Sequence, residues 1–275
     1  MELYPSQSLM KLINSLLFLL LSFVVYAHEG PSDVAKKAKS LKVMTYNIHH
    51  CNPPSAGSKI DVEAIARVIT AEKPDFVALQ EVDVNTERSG KGLNQAKELA
   101  RLTGMHFFFS KAIDHQGGDY GVAVLSRFPI LDSTRFILPI DPAIGGETRT
   151  IAAVTVEPTK GKRIIFASTH LDLKEPNRLT QAELIIRHFN GQRLPVILGG
   201  DFNAQADSKV IQLFDQTFVR SCQPCAPTIP VKNPNRAIDF VMYKQDSSLR
   251  SVSTNVIDEQ YASDHLPVVV ELKLN

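Results

Sequence analysis

Six times along this chain, an apolar run of the kind that forms a buried strand ends in, or leads into, a side chain able to bind a cation or move a proton. Tyr46-Asn47 follows the run at 41–45, Gln80-Glu81 that at 76–79, Thr169-His170 that at 164–168, and Gly200-Asp201-Phe202-Asn203 that at 196–198. Ile238-Asp239 lies inside a fifth run, and Ser263-Asp264-His265 precedes the last. Any one Asp or His in such a place is usually a helix cap, a turn former or a satisfied polar group. Six at successive strand edges carry more weight, because strand ends are rigid and the loops leaving them can converge on one cleft. The residue types suit one chemistry. Asn, Glu and Asp supply the hard oxygens that Mg2+ or Mn2+ prefers, and no thiolate set competes. Two histidines, His170 and His265, add proton-transfer groups that work near neutral pH. A hard divalent ion beside acid–base groups suits attack of water on a phosphoester: the cation neutralises phosphoryl charge while an activated water attacks in line.

These side chains need a sheet to hold them. Short apolar runs at 41–48, 76–79, 121–125, 151–156, 164–168, 196–198, 238–243 and 267–272 predict buried strands. Asp61 can cap a helix whose face is Ile65, Val68 and Ile69 and which ends before Pro74. Helical spacing recurs at 94–102, stopping near Gly104, and at 181–189, stopping near Gly191. Strands outnumber helices, and 121–170 holds several strands with no helix between them. That is an α/β pattern with hairpins rather than a purely alternating parallel sheet. No internal repeat or long low-complexity stretch interrupts 41–275, which reads as one domain.

The segments VMTYNIHH (43–50), DFVALQEVD (75–83), YGVAVLSRFPI (120–130), STHLD (168–172), ILGGDFNA (197–204), IDFVMY (238–243) and SDHLPVVVEL (263–272) resemble, in order, the motif set of the endonuclease/exonuclease/phosphatase family. The resemblance implies a four-layered α/β/β/α sandwich of two facing mixed sheets with outer helices, and a Mg2+- or Mn2+-dependent phosphodiesterase or phosphatase. It implies Glu81 as the principal metal ligand, with Asn47 close by and Asp264 able to contribute. Asp201 and Asn203 would orient the attacking water and the scissile phosphate. His265 would serve as general base or phosphate contact with its tautomer fixed by Asp239, and His170 would donate to the phosphoryl group. Asp201 and His265 both stand as candidates for the base. Arg149 is either a substrate contact, as in relatives that cleave lipid and sugar phosphates, or an ion-pair partner of Glu147. Arg88 reads as a solvated loop charge, Asn177 and Arg178 as capping and surface residues, and Phe107-Phe108-Phe109 as a core strand. His49 and His50 border the cleft without enough spaced partners for zinc. Val122 departs from the family pattern, where an Asn often stands.

Composition limits the substrate more than the reaction. The 275 residues carry a formal net charge of +1, 7% aromatics and no Trp, so no overall field or aromatic-lined channel advertises a nucleic-acid strand. A small or head-group phosphoester is therefore expected, with a secreted nuclease as the alternative and an inactive binding module of the same fold as a second. Lys11 precedes an apolar run from 12 to 26 that ends at Val25-Tyr26-Ala27, a small-x-small site for cleavage after Ala27. This predicts a signal peptide over 1–27, a linker over 28–40, and an exported monomer with no membrane span after cleavage. Cys222 and Cys225 can close a short structural disulfide in an oxidising compartment, leaving Cys51 unpaired.

Overall fold

Alternation along the apolar runs decides which way each strand faces. In β1 (Lys39–Asn47), Leu41 and Val43 point into one core while Met44 and Tyr46 point into another; β2 (Phe76–Val84) repeats this with Phe76 and Ala78 against Val77 and Leu79. Strands buried on both faces must be sandwiched between two layers. The structure, a computed structural model, describes residues 39–245 and 247–274. The signal peptide read over 1–27, and the linker as far as residue 38, lie outside the described residues.

Two six-stranded mixed sheets face each other. The first is completed by β3 (His106–His115), β4 (Gly118–Ser126), β11 (Leu249–Val256) and β12 (Val268–Leu274), in the order β11-β12-β1-β2-β4-β3. The second contains β5 (Ile130–Leu138), β6 (Arg149–Thr159), β7 (Lys162–His170), β8 (Val196–Asp201), β9 (Phe218–Arg220) and β10 (Asp239–Lys244), in the order β5-β6-β7-β8-β10-β9. Helices α1 (Val62–Glu72) and α2 (Gln95–Thr103) pack on the outer face of the first sheet. Helices α3 (Glu175–Asn190) and α4 (Lys209–Phe214) pack on the outer face of the second. Asp61 caps α1 as its position predicts, accepting from the backbone N–H of Ala64 at 3.0 Å, and Asn94, expected inside the second helix, caps α2 by accepting from the Lys97 N–H at 2.9 Å. The third predicted helix starts earlier than its apolar spacing suggests, because Pro176 preorganises a first turn.

The middle of each sheet holds its one parallel pair, β1/β2 and β7/β8, and the crossovers contain α1 and α3. Parallel neighbours bring their C-terminal ends to the same sheet edge. Asn47 pairs with Gln80 and His170 with Asp201, while antiparallel β10 sets Asp239 opposite Asp201. Between the sheets, Gln80 donates to Ser168 Oγ at 3.0 Å and Ser168 donates to the Leu79 carbonyl at 3.0 Å, a buried polar tie beneath the site. At Gly199 a Cβ would stand 2.8 Å from that of Ala78, so glycine is what lets the sheets close here. Phe107-Phe108-Phe109 is a strand, yet β3 is an edge strand and Phe107 is exposed. Phe108 and Phe109 are half-buried and pack against the two cores flanking this sheet, so the run is core at two of its three positions.

Candidate active site

Asp201 lies at the centre of the converging strand ends. Its Oδ2 accepts from Asn47 Nδ2 at 3.1 Å, and its Oδ1 accepts from the backbone N–H of Asn203 at 2.8 Å. The same Asn47 amide donates to Glu81 Oε1 at 3.0 Å, so one carboxamide from the first sheet spans two carboxylates from different sheets. Glu81 sits where the β2/β4 register shifts, with a left-handed φ of 58°. A bulge with a left-handed residue re-aims a side chain at a cost of order 1–3 kcal/mol. Here it turns the carboxylate toward Asn47 and His50.

His265 approaches from the loop before β12. Its Nδ1 lies 2.9 Å from Asp239 Oδ2, and its Nε2 faces Asp201 Oδ2 at 3.8 Å. Thr228 donates to the same Asp239 oxygen, and Ser263 bonds the Asn47 carbonyl at 2.7 Å while accepting from the His265 N–H. His170 Nε2 lies 3.5 Å from Asp201 Oδ2 and 3.0 Å from the Asn203 amide nitrogen, which also donates to the Leu171 carbonyl. As that amide donates, Nε2 must accept, and the ring proton resides on Nδ1. Asn203 holds a left-handed φ of 48°, a conformation Asn adopts readily.

Burial and neighbouring charge separate the protonation states. Burial and the Asp239 carboxylate push the Asp201 carboxyl up to about 7. Burial works against a charged His265, but Asp239 outweighs it and raises the imidazole to about 10. Burial, with Arg149 and His265 nearby, keeps His170 well below its usual value and therefore neutral. Burial opposes the Glu81 charge, yet the His50 and Asn47 side chains hold its carboxyl well below the usual carboxylate range. At neutral pH the site thus holds an anionic Glu81, a cationic His265, and an Asp201 near its midpoint.

Among the described residues, Asp201, Asp239 and His265 form the one group of three acidic or imidazole side chains whose ligand atoms lie within 4.8 Å of one another. The His265–Asp239 hydrogen bond already occupies Nδ1, so this group is a proton-carrying relay more than a cation cage. Glu81 and Asn47 form a separate oxygen-bearing pair beside it. Asp264 is half-buried and accepts from Ser263 Oγ at 3.4 Å.

Arg149 does pair with Glu147, at 2.6 Å, but it is 5% exposed and its field reaches His170 and Asp201. Its Nε and the His170 Nδ1 are buried without hydrogen-bond partners. Arg88 is not a solvated charge: it binds Asp83 through two nitrogens at 2.7 and 2.9 Å beneath the Tyr120 ring. Nor is Asn177 a surface cap; it is buried and holds the 141–145 loop through Gly145 and Asp141. Val122 lies in the core between the sheets. Sequence spacing carries no signal for Thr228, and Ser263, though it opens the last motif, gives no sign there of its bond to the remote Asn47 carbonyl. Cys222 and Cys225 are bridged.

Two facing mixed sheets with an Asp–His site at their shared edge define a hydrolase sandwich of the α/β/β/α class. The chain belongs to the endonuclease/exonuclease/phosphatase family, whose model matches residues 44–265. Members of that family are hydrolases acting on phosphoester bonds. The uncharacterized protein YbhP of Escherichia coli (strain K12) is 28% identical over 251 residues, covering 86% of this chain and 97% of its own. An endonuclease/exonuclease/phosphatase from Beutenbergia cavernae DSM 12333 superimposes with a TM-score of 0.73 at 26% identity, over 86% of this chain and 72% of the other. The mannosyl-6-phosphatase of Bacteroides thetaiotaomicron VPI-5482 shares the fold, with a TM-score of 0.69 at 20% identity over 84% of this chain and 99% of its own.

Proposed function

We propose that this chain is an exported, divalent-metal-dependent phosphoester hydrolase in which Asp201 activates the attacking water. The observation that carries this reading is one polar chain, Glu81–Asn47–Asp201–His265–Asp239, that runs from sheet to sheet with a near-neutral carboxyl at its middle. An anionic Glu81, with one amide donor on Oε1, is a fitting anchor for Mg2+ or Mn2+. Asn47 and Asp264 would add oxygens. Asn47 now points its Nδ2 at both carboxylates and its Oδ1 at the His49 N–H, so it would ligate only after its amide rotates. A bound cation would supply positive charge against the phosphoryl oxygens.

The remaining roles fall to the chain itself. Ionised Asp201, steadied by Asn47 and the Asn203 N–H, accepts the proton of the attacking water. His265, charged and fixed at Nδ1 by Asp239, turns Nε2–H toward the developing charge. Arg149 Nε and His170 Nδ1–H are buried donors that cost of order 1–3 kcal/mol each while unsatisfied.

The substrate reading is a small or head-group phosphoester. A cavity of about 400 Å3 opens beside Asp264, with an apolar wall of Ile229, Pro230 and Val231 and the cations Lys232 and Arg236 at its rim. That volume is enough for a compact leaving group. The bridged Cys222–Cys225 pair supports an oxidising, extracytoplasmic location. Bis(4-nitrophenyl) phosphate with Mn2+ or Mg2+ tests the reaction. Wild type should turn it over, while Asp201→Ala and His265→Ala should lose about 10^2–10^4-fold with folding retained. Wild-type inertness under every ion would favour the inactive-module reading. Single-stranded DNA, sphingomyelin and inositol phosphates assayed side by side test the substrate, and preference for DNA would restore the secreted nuclease.

A further inference from the structure

We infer that His50 is a nitrogen ligand of the cation held at Glu81, and that the site consequently takes a first-row transition ion such as Mn2+ in preference to Mg2+. This rests on the reading that Glu81 anchors a metal. His50 Nδ1 is buried, has no hydrogen-bond partner, and faces Glu81 Oε2 at 3.9 Å. A charge-assisted hydrogen bond between such groups closes to about 2.7–2.9 Å. The observed spacing is too long for that contact and suits a shared ion. Two donor atoms each about 2.1 Å from one cation lie between about 3 Å apart at a right angle and about 4.2 Å apart when opposed.

The backbone is built to hold the ring there. His49, His50 and Cys51 have φ of 44°, 43° and 58°, three successive non-glycine residues in the left-handed region. Such residues persist only where surrounding contacts over-determine them, and they concentrate at ligand clamps. The contacts are present: the His50 carbonyl accepts from Gln95 Nε2 at 2.6 Å, and the His49 N–H donates to Asn47 Oδ1 at 3.1 Å. Cys51 is sunk in the core, and His49 Nδ1 is occupied by the Asn52 carbonyl at 2.8 Å. His49 is therefore spoken for at that nitrogen, and His50 is the imidazole with a free donor atom at the carboxylate. An imidazole among oxygen ligands shifts preference from Mg2+ toward transition ions.

The test uses the full chain, stripped with EDTA and titrated with Mn2+ under electron spin echo spectroscopy. Wild type should bind Mn2+ with the 14N modulation of a directly bound imidazole. His50→Asn, which tolerates the left-handed backbone, should abolish that modulation. It should also weaken Mn2+ at least about 10-fold while changing Mg2+ affinity less than about 3-fold. Mn2+ bound by wild type without 14N modulation overturns the inference whether or not the variant folds. So does modulation that survives in His50→Asn, which would assign another imidazole, or an equal loss of both ions, which would make His50 a positioning residue only. Absence of any Mn2+ binding by wild type would remove the Glu81 metal reading itself.

Discussion

Asp201 is buried among groups that oppose its charge, and the stability cost of that arrangement can be measured. Its folded pKa of about 7 lies above the ordinary 3.8, so its contribution to stability is fully present below about 3.8 and is lost as pH rises through about 7. In EDTA at pH 8–9, Asp201→Asn should therefore be more stable than wild type by on the order of 2–4 kcal/mol while losing turnover. A lower melting temperature for the variant at that pH would show that the carboxylate is not strained by its surroundings. His265 has the opposite requirement, since it works charged. In metal-loaded enzyme, kcat/KM should rise as Asp201 ionises and fall as His265 loses its proton, with both limbs drawn below the metal-free values of about 7 and about 10 by the cation's charge. Asp239→Asn should draw the alkaline limb downward, because Asp239 is what holds the imidazole high. An alkaline limb unmoved by that substitution would sever the Asp239–His265 link. Residue types and strand-edge positions alone pointed to all of these groups. What they could not give was the division of labour, because protonation states depend on burial and on partners more than 25 residues away, as with His265 and Asp239.

At the scale of elements, two parallel pairs explain why the site forms where it does. Pairing of β1 with β2 and of β7 with β8 delivers Asn47, Glu81, His170 and Asp201 to one edge of the sandwich, and β10 adds Asp239. Apolar runs made the central strands legible, since burial on both faces leaves a continuous signal. β5, β9 and β11 fall outside the predicted runs: β5 is exposed throughout 131–135, β9 has 3 residues, β11 mixes exposed with half-buried positions, and all three lie at sheet edges. The bulge at Glu81 was equally invisible, because a single left-handed residue leaves no compositional mark. Gly199 tests the close approach of the sheets. Adding one methyl in Gly199→Ala should cost about 1–3 kcal/mol, since its Cβ would meet that of Ala78 at 2.8 Å and that of Thr45 at 3.2 Å. Urea denaturation would measure it, and an unchanged midpoint would mean that the sheets separate more easily than their packing implies.

In the molecule as a whole, among the described residues, three apolar layers fix two sheets and four α-helices, and the central strand ends bring Asn47, Glu81, His170, Asp201 and Asp239 to one edge. The motif order across 43–272 made this architecture legible through resemblance, whereas strand spacing alone reached no further than α/β with hairpins. Export remains a prediction at this scale: chain recovered from the periplasm or medium should begin at His28, and intact chain confined to the cytosol would contradict it. The central claim is that side chains from both sheets serve one cation-dependent reaction. Its most direct measurement is hydrolysis of bis(4-nitrophenyl) phosphate by the full chain before EDTA, after EDTA, and after return of Mn2+ or Mg2+. Turnover that disappears on chelation and returns with the ion is the predicted result. Turnover undiminished by chelation, or absent under either ion, contradicts the account.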